Sequence, residues 1–212
     1  MTPRPWMFAA LLGLAAVATG LLLAGPDRLL GIDTGNLGFA LLMTATWSSL
    51  WLVGSLPHSA LEGSASPGEW RAWIGSAFLT VAVAWFALKL PLFAVPGPVW
   101  QNPDAAAAGR TLAMLLIAWA IVSFVLAGRW RDRVSRDERD RQIEAHASQR
   151  SSLALVIMLV ALALLLGFSP PDRLQWATPL LLANLLLLLL MLSWLAETAL
   201  TALSYWRDRR GA

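Results

Sequence analysis

The stretch 151–168, SSLALVIMLVALALLLGF, decides the class of the fold. It contains no charge and no proline, and Pro170-Pro171 close it. Its apolar residues are continuous rather than alternating, which fits a lipid-embedded helix and not a strand of a membrane barrel. A helix crosses the hydrocarbon core in about 20 residues, within a range of roughly 17–25. Working outward, the neighbouring run 178–203 is long enough to tilt or to project from the bilayer. Four more runs precede them, at 6–25, 37–56, 72–90 and 111–128. Pro91, Pro96 and Pro98 end the third. The sequence therefore predicts an all-α polytopic membrane protein with six transmembrane helices arranged as three hairpins. The hairpins occupy 1–56, 72–128 and 151–203. Between them lie a cytoplasmic loop, 57–71, and a charged segment, 129–150; a tail follows at 204–212.

Composition agrees. Of 212 residues, 58% are hydrophobic and only 14% charged, against about 25% charged in an ordinary soluble domain. With no Cys, disulfides, thiolate-ligated metals and thiol catalysis are excluded. Lys89 is the single Lys, which removes the phosphate-binding loop that needs Gly-Lys-Ser/Thr. The net charge of +3 gives no reason to expect a nucleic-acid partner. The first run resembles a signal peptide in having Arg4 before it and Ala16-Val17-Ala18 within it. Its apolar stretch is longer than an h-region of roughly 7–15 residues, so a retained helix is expected.

Orientation follows from where the basic residues lie. With the N-terminus inside, inner segments hold Arg4, Arg71, seven Arg between 129 and 150, and Arg207, Arg209 and Arg210, twelve in all. The outer side holds four: Arg28, Lys89, Arg110 and Arg173. Twelve against four puts both termini on the cytoplasmic side of the membrane. Trp6, Trp70, Trp73, Trp130 and Trp206 fall at inner edges and Trp100 and Trp176 at outer ones, as amphipathic rings at the head-group layer should.

Short strings recur. Trp130-Arg131-Asp132-Arg133 returns as Trp206-Arg207-Asp208-Arg209, and Pro26-Asp27-Arg28-Leu29 returns as Pro171-Asp172-Arg173-Leu174. An internal repeat would account for them. So would convergence, since Pro-Asp suits helix starts and Trp-Arg suits a cytoplasmic edge.

The segment 129–150 carries seven Arg and five acids, without Gly or Pro between Arg129 and Arg150. Asp132/Arg136 and Asp137/Arg141 stand at i,i+4 with the acid first, the orientation that supports a helix. A charged helix, or two, is expected to leave the membrane here. Asp137-Glu138-Arg139-Asp140-Arg141-Gln142-Ile143-Glu144-Ala145 resembles the D-E-R-D-x-x-I-x-x-x-A signature of small bacterial inner-membrane proteins grouped as a domain of unknown function. In that family a helical hairpin follows, with a Glu in its second helix and a Tyr/Arg/Gly tail. Glu197 and 205–211 match those positions; Ala199 and Leu200 stand where a basic residue often follows the Glu. The resemblance covers about 130–211 and implies topology, not an activity.

Asp137-x-x-Asp140 places two carboxylates on one helix face, a pattern that can hold Mg²⁺ against a pyrophosphate. No second Asp-rich segment exists, and Arg136, Arg139 and Arg141 would neutralise the acids. A solvated, salt-bridged helix is the expected reading. His58 and His146 both fall at the cytoplasmic edge and lack metal-ligand spacing. No metal, haem or other cofactor is expected.

An ionisable residue inside a membrane helix is by default a functional candidate. Lys89 lies where it can snorkel outward. Glu197 lies near the inner edge and is expected to meet an Arg, Arg129 or Arg71. Asn184, deep in the sixth run, can bond across helices. Thr44, Thr46, Ser48 and Ser49 are expected to bond their own backbone or a neighbour. The functional expectation is a non-enzymatic membrane protein that contacts a protein partner, or a second copy, through Asp137, Glu138, Arg139, Asp140 and Arg141. The alternative is a small transporter or channel with Glu197 and Asn184 lining a cavity. A deep polar cavity reaching Glu197 would favour the second; a tightly packed bundle with a protruding charged helix would favour the first.

Overall fold

The structure is a computed structural model that describes residues 5–25, 28–29, 32–55, 67–95, 101–131 and 138–211. Six long α-helices account for most of them: α1 (Pro5–Ala24), α2 (Thr34–Ser55), α3 (Pro67–Lys89), α4 (Pro103–Arg131), α5 (Glu138–Phe168) and α6 (Pro179–Gly211). A two-residue antiparallel ladder pairs Arg28 with Asp33 and Leu29 with Ile32 in the turn between α1 and α2.

Local chemistry sets where the helices begin. Asp33 Oδ1 accepts the backbone N–H of Asn36 at 2.9 Å, satisfying a donor of the first turn of α2. Asn102 caps α4: its Oδ1 accepts from the N–H groups of Asp104 and Ala105, and Pro103 follows at the first helical position, where a missing N–H costs nothing. Thr178 serves α6 in the same way. Its Oγ1 accepts from the N–H of Leu181 and donates to the carbonyl of Phe93, which ties the start of α6 to the 3-10 turn Leu90–Phe93.

Four helical stretches are long and apolar enough to cross a membrane: Gly68–Phe93, Pro103–Ile121, Arg141–Phe168 and Pro179–Arg210. Ala9–Ala24 is a shorter apolar helix. Over its described residues α2 does not reach the same standard; Thr44, Thr46, Ser48 and Ser49 interrupt it. Two of these hydroxyls are bonded within the helix, Thr44 to the Ala40 carbonyl and Thr46 to that of Leu42, both at 2.8 Å.

Packing centres on α3 and α6, which run antiparallel along most of their length. At one end Glu69 of α3 meets Arg209 of α6; at the other, Phe93 meets Thr178. The buried stripe of α3 is Phe78, Leu79, Ala82, Trp85 and Phe86, one face of a helix by its spacing. Ala105, Ala108, Leu112 and Leu115 of α4 close over the same core, and Leu181 and Met191 of α6 complete it. Phe86 and Phe93 meet edge to face with centroids 6.2 Å apart. The α1–α2 pair depends on close backbone approach. A Cβ added to Gly38 would lie 2.8 Å from Leu22 Cγ and 3.0 Å from the Ala18 carbonyl oxygen, so small residues set the spacing, as in other membrane helix pairs.

Several expectations meet a different arrangement. The α1–α2 and α5–α6 pairs pack closely, but α3 touches α4 only lightly, and its chief neighbour is α6. The helices also run past the expected boundaries. Helix α3 begins at Pro67, α4 continues to Arg131, and α6 carries on through the tail to Gly211. The charged segment is not separate from the fifth apolar run: from Glu138 it is the first part of α5. The recurring Pro-Asp-Arg-Leu strings differ in their described residues. Arg28-Leu29 lies in the ladder, whereas Pro171–Arg173 is a 3-10 turn.

Candidate functional site

Among the described residues, the charged side chains that are buried or half-buried, Glu69, Arg71, Glu197 and Asp208, gather at one end, where α3 and α5 begin and α6 finishes. Three contacts hold this charged end together. The first is an ion pair, Arg209 Nη2 to Glu69 Oε1 at 3.3 Å, in which the carboxylate is only 4% exposed and the guanidinium 52%. The second is Tyr205, buried against Gly68 at the start of α3; a Cβ there would lie 2.9 Å from the tyrosine hydroxyl. The third joins α5 to α6: Ser193 Oγ donates to the carbonyl of Ser151 at 3.2 Å. Ile143 is half-buried and Ala147 and Ser151 are buried, at i, i+4 and i+8, one stripe of α5 that runs from the charged part into the apolar part, and α6 is the chief neighbour of α5. Arg210 stacks over Trp206, with Cζ 4.1 Å from the ring centroid.

Between these contacts lies a half-open cavity of about 200 Å³. Glu197, Thr198 and Thr201 of α6 form one wall, and Gly68, Arg71 and Gly75 of α3 another. Trp119 and Ser123 of α4, Leu50 of α2 and Glu144 of α5 complete it. Gly75 makes room for the indole: a Cβ there would stand 2.9 Å from Trp119 Cη2. The same ring stacks on Phe78 one turn further along α3, centroids 5.3 Å apart and planes 11° from parallel.

The hydrogen bonds of the two threonines give the cavity its polarity. Thr201 Oγ1 donates to the Glu197 carbonyl at 2.8 Å, and Thr198 Oγ1 lies 3.1 Å from the carbonyls of Trp194 and Leu195. Each hydroxyl hydrogen is thus spent on its own helix, and what remains for the cavity is an acceptor. Glu197 and Glu144 add two further acceptors, and Ser123 a hydroxyl that can accept or donate. Arg71 supplies donors only. Among the described residues, Arg71, Glu144 and Glu197 form no ion pair with one another or with any other group.

The residues singled out in the sequence fall as follows. Glu197 lines the cavity together with Arg71, one of its two expected partners; the side chain of the other, Arg129, lies outside the described residues, as do Asp137, His58 and the side chains of Arg139 and Asp140. Glu138 and Arg141 are exposed on the first turns of α5. Asn184 is buried, but its Nδ2 donates to the Leu180 carbonyl of its own helix at 2.9 Å rather than across to a neighbour. It stands thirteen positions before Glu197, about 20 Å along α6, and does not line the cavity. No group of three or more His, Asp or Glu placed to hold a metal occurs among the described residues.

Glu69 escapes sequence reasoning. Its signal is Ser66-Pro67-Gly68-Glu69, a Ser with Glu three positions on and Pro between, the spacing of a capped helix start. That string marks where α3 begins; it carries no trace of Arg209, 140 positions away. Comparison with protein-family models, curated proteins and solved structures yields no match, so the functional reading rests on the residues themselves.

Proposed function

We propose that this is a six-span, bacterial-type inner-membrane protein with both termini cytoplasmic and no enzymatic activity, acting as a scaffold or regulatory partner through its charged end. The observation that carries the reading is the continuity of α5. Its 31 residues extend about 46 Å, more than the ~30 Å hydrocarbon core. The excess is the charged part, and it lies along α6 instead of hanging from a loop. Glu138, Arg141, Gln142 and His146 are exposed on it, so a contact made there is mechanically joined to the span below. The internal repeat suggested by the recurring strings has no part in this reading.

Topology is tested by reporter fusions at Ala212 and beside Asp104, expected to report opposite compartments, with the Ala212 fusion cytoplasmic. A periplasmic Ala212 signal overturns the orientation. The contact surface is tested by cross-linking in membranes followed by purification in mild detergent, for the wild-type chain and for Glu138→Gln with Arg141→Gln. Loss of a cross-linked partner or of a cross-linked dimer in the double variant is expected. An identical pattern in both proteins counts against the charged surface.

A second reading, a small transporter or channel, is favoured by the cavity that reaches Glu197. Phe78, Leu79, Ala82 and Phe86 are buried further along the bundle, so passage would require α3 to move against the helices packed on it. Uptake into proteoliposomes that Glu197→Gln abolishes would favour this reading over the first.

A further inference from the structure

We infer that the cavity at the charged end is a binding site for a zwitterion that carries an ammonium and a phosphate. This goes beyond the partner-surface reading and does not depend on it. The lining divides by chemistry. Among the described residues, Arg71 is the one cationic group in the wall, and it offers only donors, in the planar fork that suits a phosphate or a carboxylate. Glu197, Glu144, Thr198 and Thr201 offer acceptors, the threonines because their hydrogens are committed to α6. The indole of Trp119 borders the same space. A ligand that satisfies both sides therefore has an anionic acceptor at one end and a cationic donor at the other.

Other ligands fit less well. A simple anion would meet two carboxylates for one guanidinium. A metal cation would meet Arg71 and, among the described residues, no cluster of three ligating side chains. Size narrows the choice further. The cavity, about 200 Å³, is smaller than the roughly 300–1,000 Å³ of pockets that enclose drug-sized ligands. It accepts a head group and leaves any tail outside. Depth agrees. Glu197 stands four residues beyond Ser193, which touches Ser151 at the start of the apolar part of α5; four residues are about 6 Å. The site thus lies at the level where lipid head groups meet a membrane protein. One chemistry then has two sources, the head group of phosphatidylethanolamine or free phosphoethanolamine from the aqueous side.

The full-length protein, stripped of lipid in a non-ionic detergent, tests this by thermal unfolding. The added probes are short-chain phosphatidylethanolamine, short-chain phosphatidylglycerol, free phosphoethanolamine, ethanolamine and inorganic phosphate. The expected result is a rise in melting temperature with phosphatidylethanolamine, phosphoethanolamine or both, and none with the other three. A response to the lipid alone assigns the bilayer as the source; a response to both assigns the shared head group. In Glu197→Gln and in Arg71→Gln the half-maximal concentration should rise at least tenfold. Thr201→Val, which removes one acceptor at nearly constant volume, should raise it as well and serves if either charge variant fails to fold. Leu164→Ala, on the exposed face of α5, should leave the response unchanged. Equal shifts with phosphatidylglycerol, a shift with phosphate or ethanolamine alone, no shift with any probe, or an unchanged response in all cavity variants would each overturn the site.

Discussion

Helices α3 and α5 look alike as apolar runs, yet the bundle uses them in opposite ways. In an apolar 18-residue part of the membrane-compatible stretch of α3, 44% of residues are buried inside the protein; in that of α5 the figure is 6%. The more continuously apolar helix is the more exposed one. In water this would be perverse. In lipid there is no hydrophobic reward for hiding Leu, Ile and Val, because the tails are equally apolar. What favours an interior position is packing: the Phe78, Trp85 and Phe86 rings on α3, and small residues such as Gly75 and Ala82 that let neighbours approach. Leu153, Val156, Ile157, Val160 and Leu164 of α5 have no such partners and face outward.

The sharpest way to break this comparison is a pair of truncations. Phe86 is fully buried on α3. Phe86→Ala should lower stability by roughly 3 kcal/mol, the low end of the Phe→Ala range, because what is lost is packing rather than transfer from water. Leu164→Ala on α5, where the side chain is exposed, should change it by no more than about 0.5 kcal/mol. Unfolding in mild detergent measures both; similar losses for the two would remove the distinction. A smaller effect is expected at Gly75. Gly75→Leu must displace the Trp119 ring from its place beside Phe78, an overpacking change of about 1–3 kcal/mol, and near-ultraviolet circular dichroism should register the moved indole.

A small coupling is predicted for the ion pair. Glu69→Gln, Arg209→Gln and the double variant form a cycle. The coupling should be about 1 kcal/mol or less, because Arg209 is half exposed and water screens it. A coupling of several kcal/mol would mean that the charged end is far drier than the exposure of Arg209 implies.

Much of the fold is legible in the amino-acid sequence. The apolar runs at 72–90, 151–168 and 178–203 each form a helix, because length and continuity are properties of a segment alone. Proline and Asn or Thr mark the starts of α4 and α6 for the same reason. Partners are less legible. In a membrane, Leu-rich faces do not say which side meets protein, so the preference of α3 for α6 over α4 has no simple pattern in the sequence. The candidate site divides along the same line. Glu197 stands out as a lone carboxylate in an apolar run, whereas Arg71, Glu144, Trp119 and Gly75 become its neighbours only through packing between four helices. Ala147 and Ser151, small residues four apart, are the one sequence hint that charged α5 lies on α6.

That last contact matters most, since it makes the charged part of α5 a fixed face of the bundle. The chain has no Cys, so spin labels can be placed at will. Glu138→Cys and Arg207→Cys put labels on exposed positions of α5 and α6, and pulsed electron resonance in lipid nanodiscs reads the distance between them. A single narrow distribution is predicted, unchanged between detergent and bilayer. A broad distribution, or one that collapses to a narrow peak only when another protein is added, would contradict a helix fixed along α6 and show a segment that orders on contact.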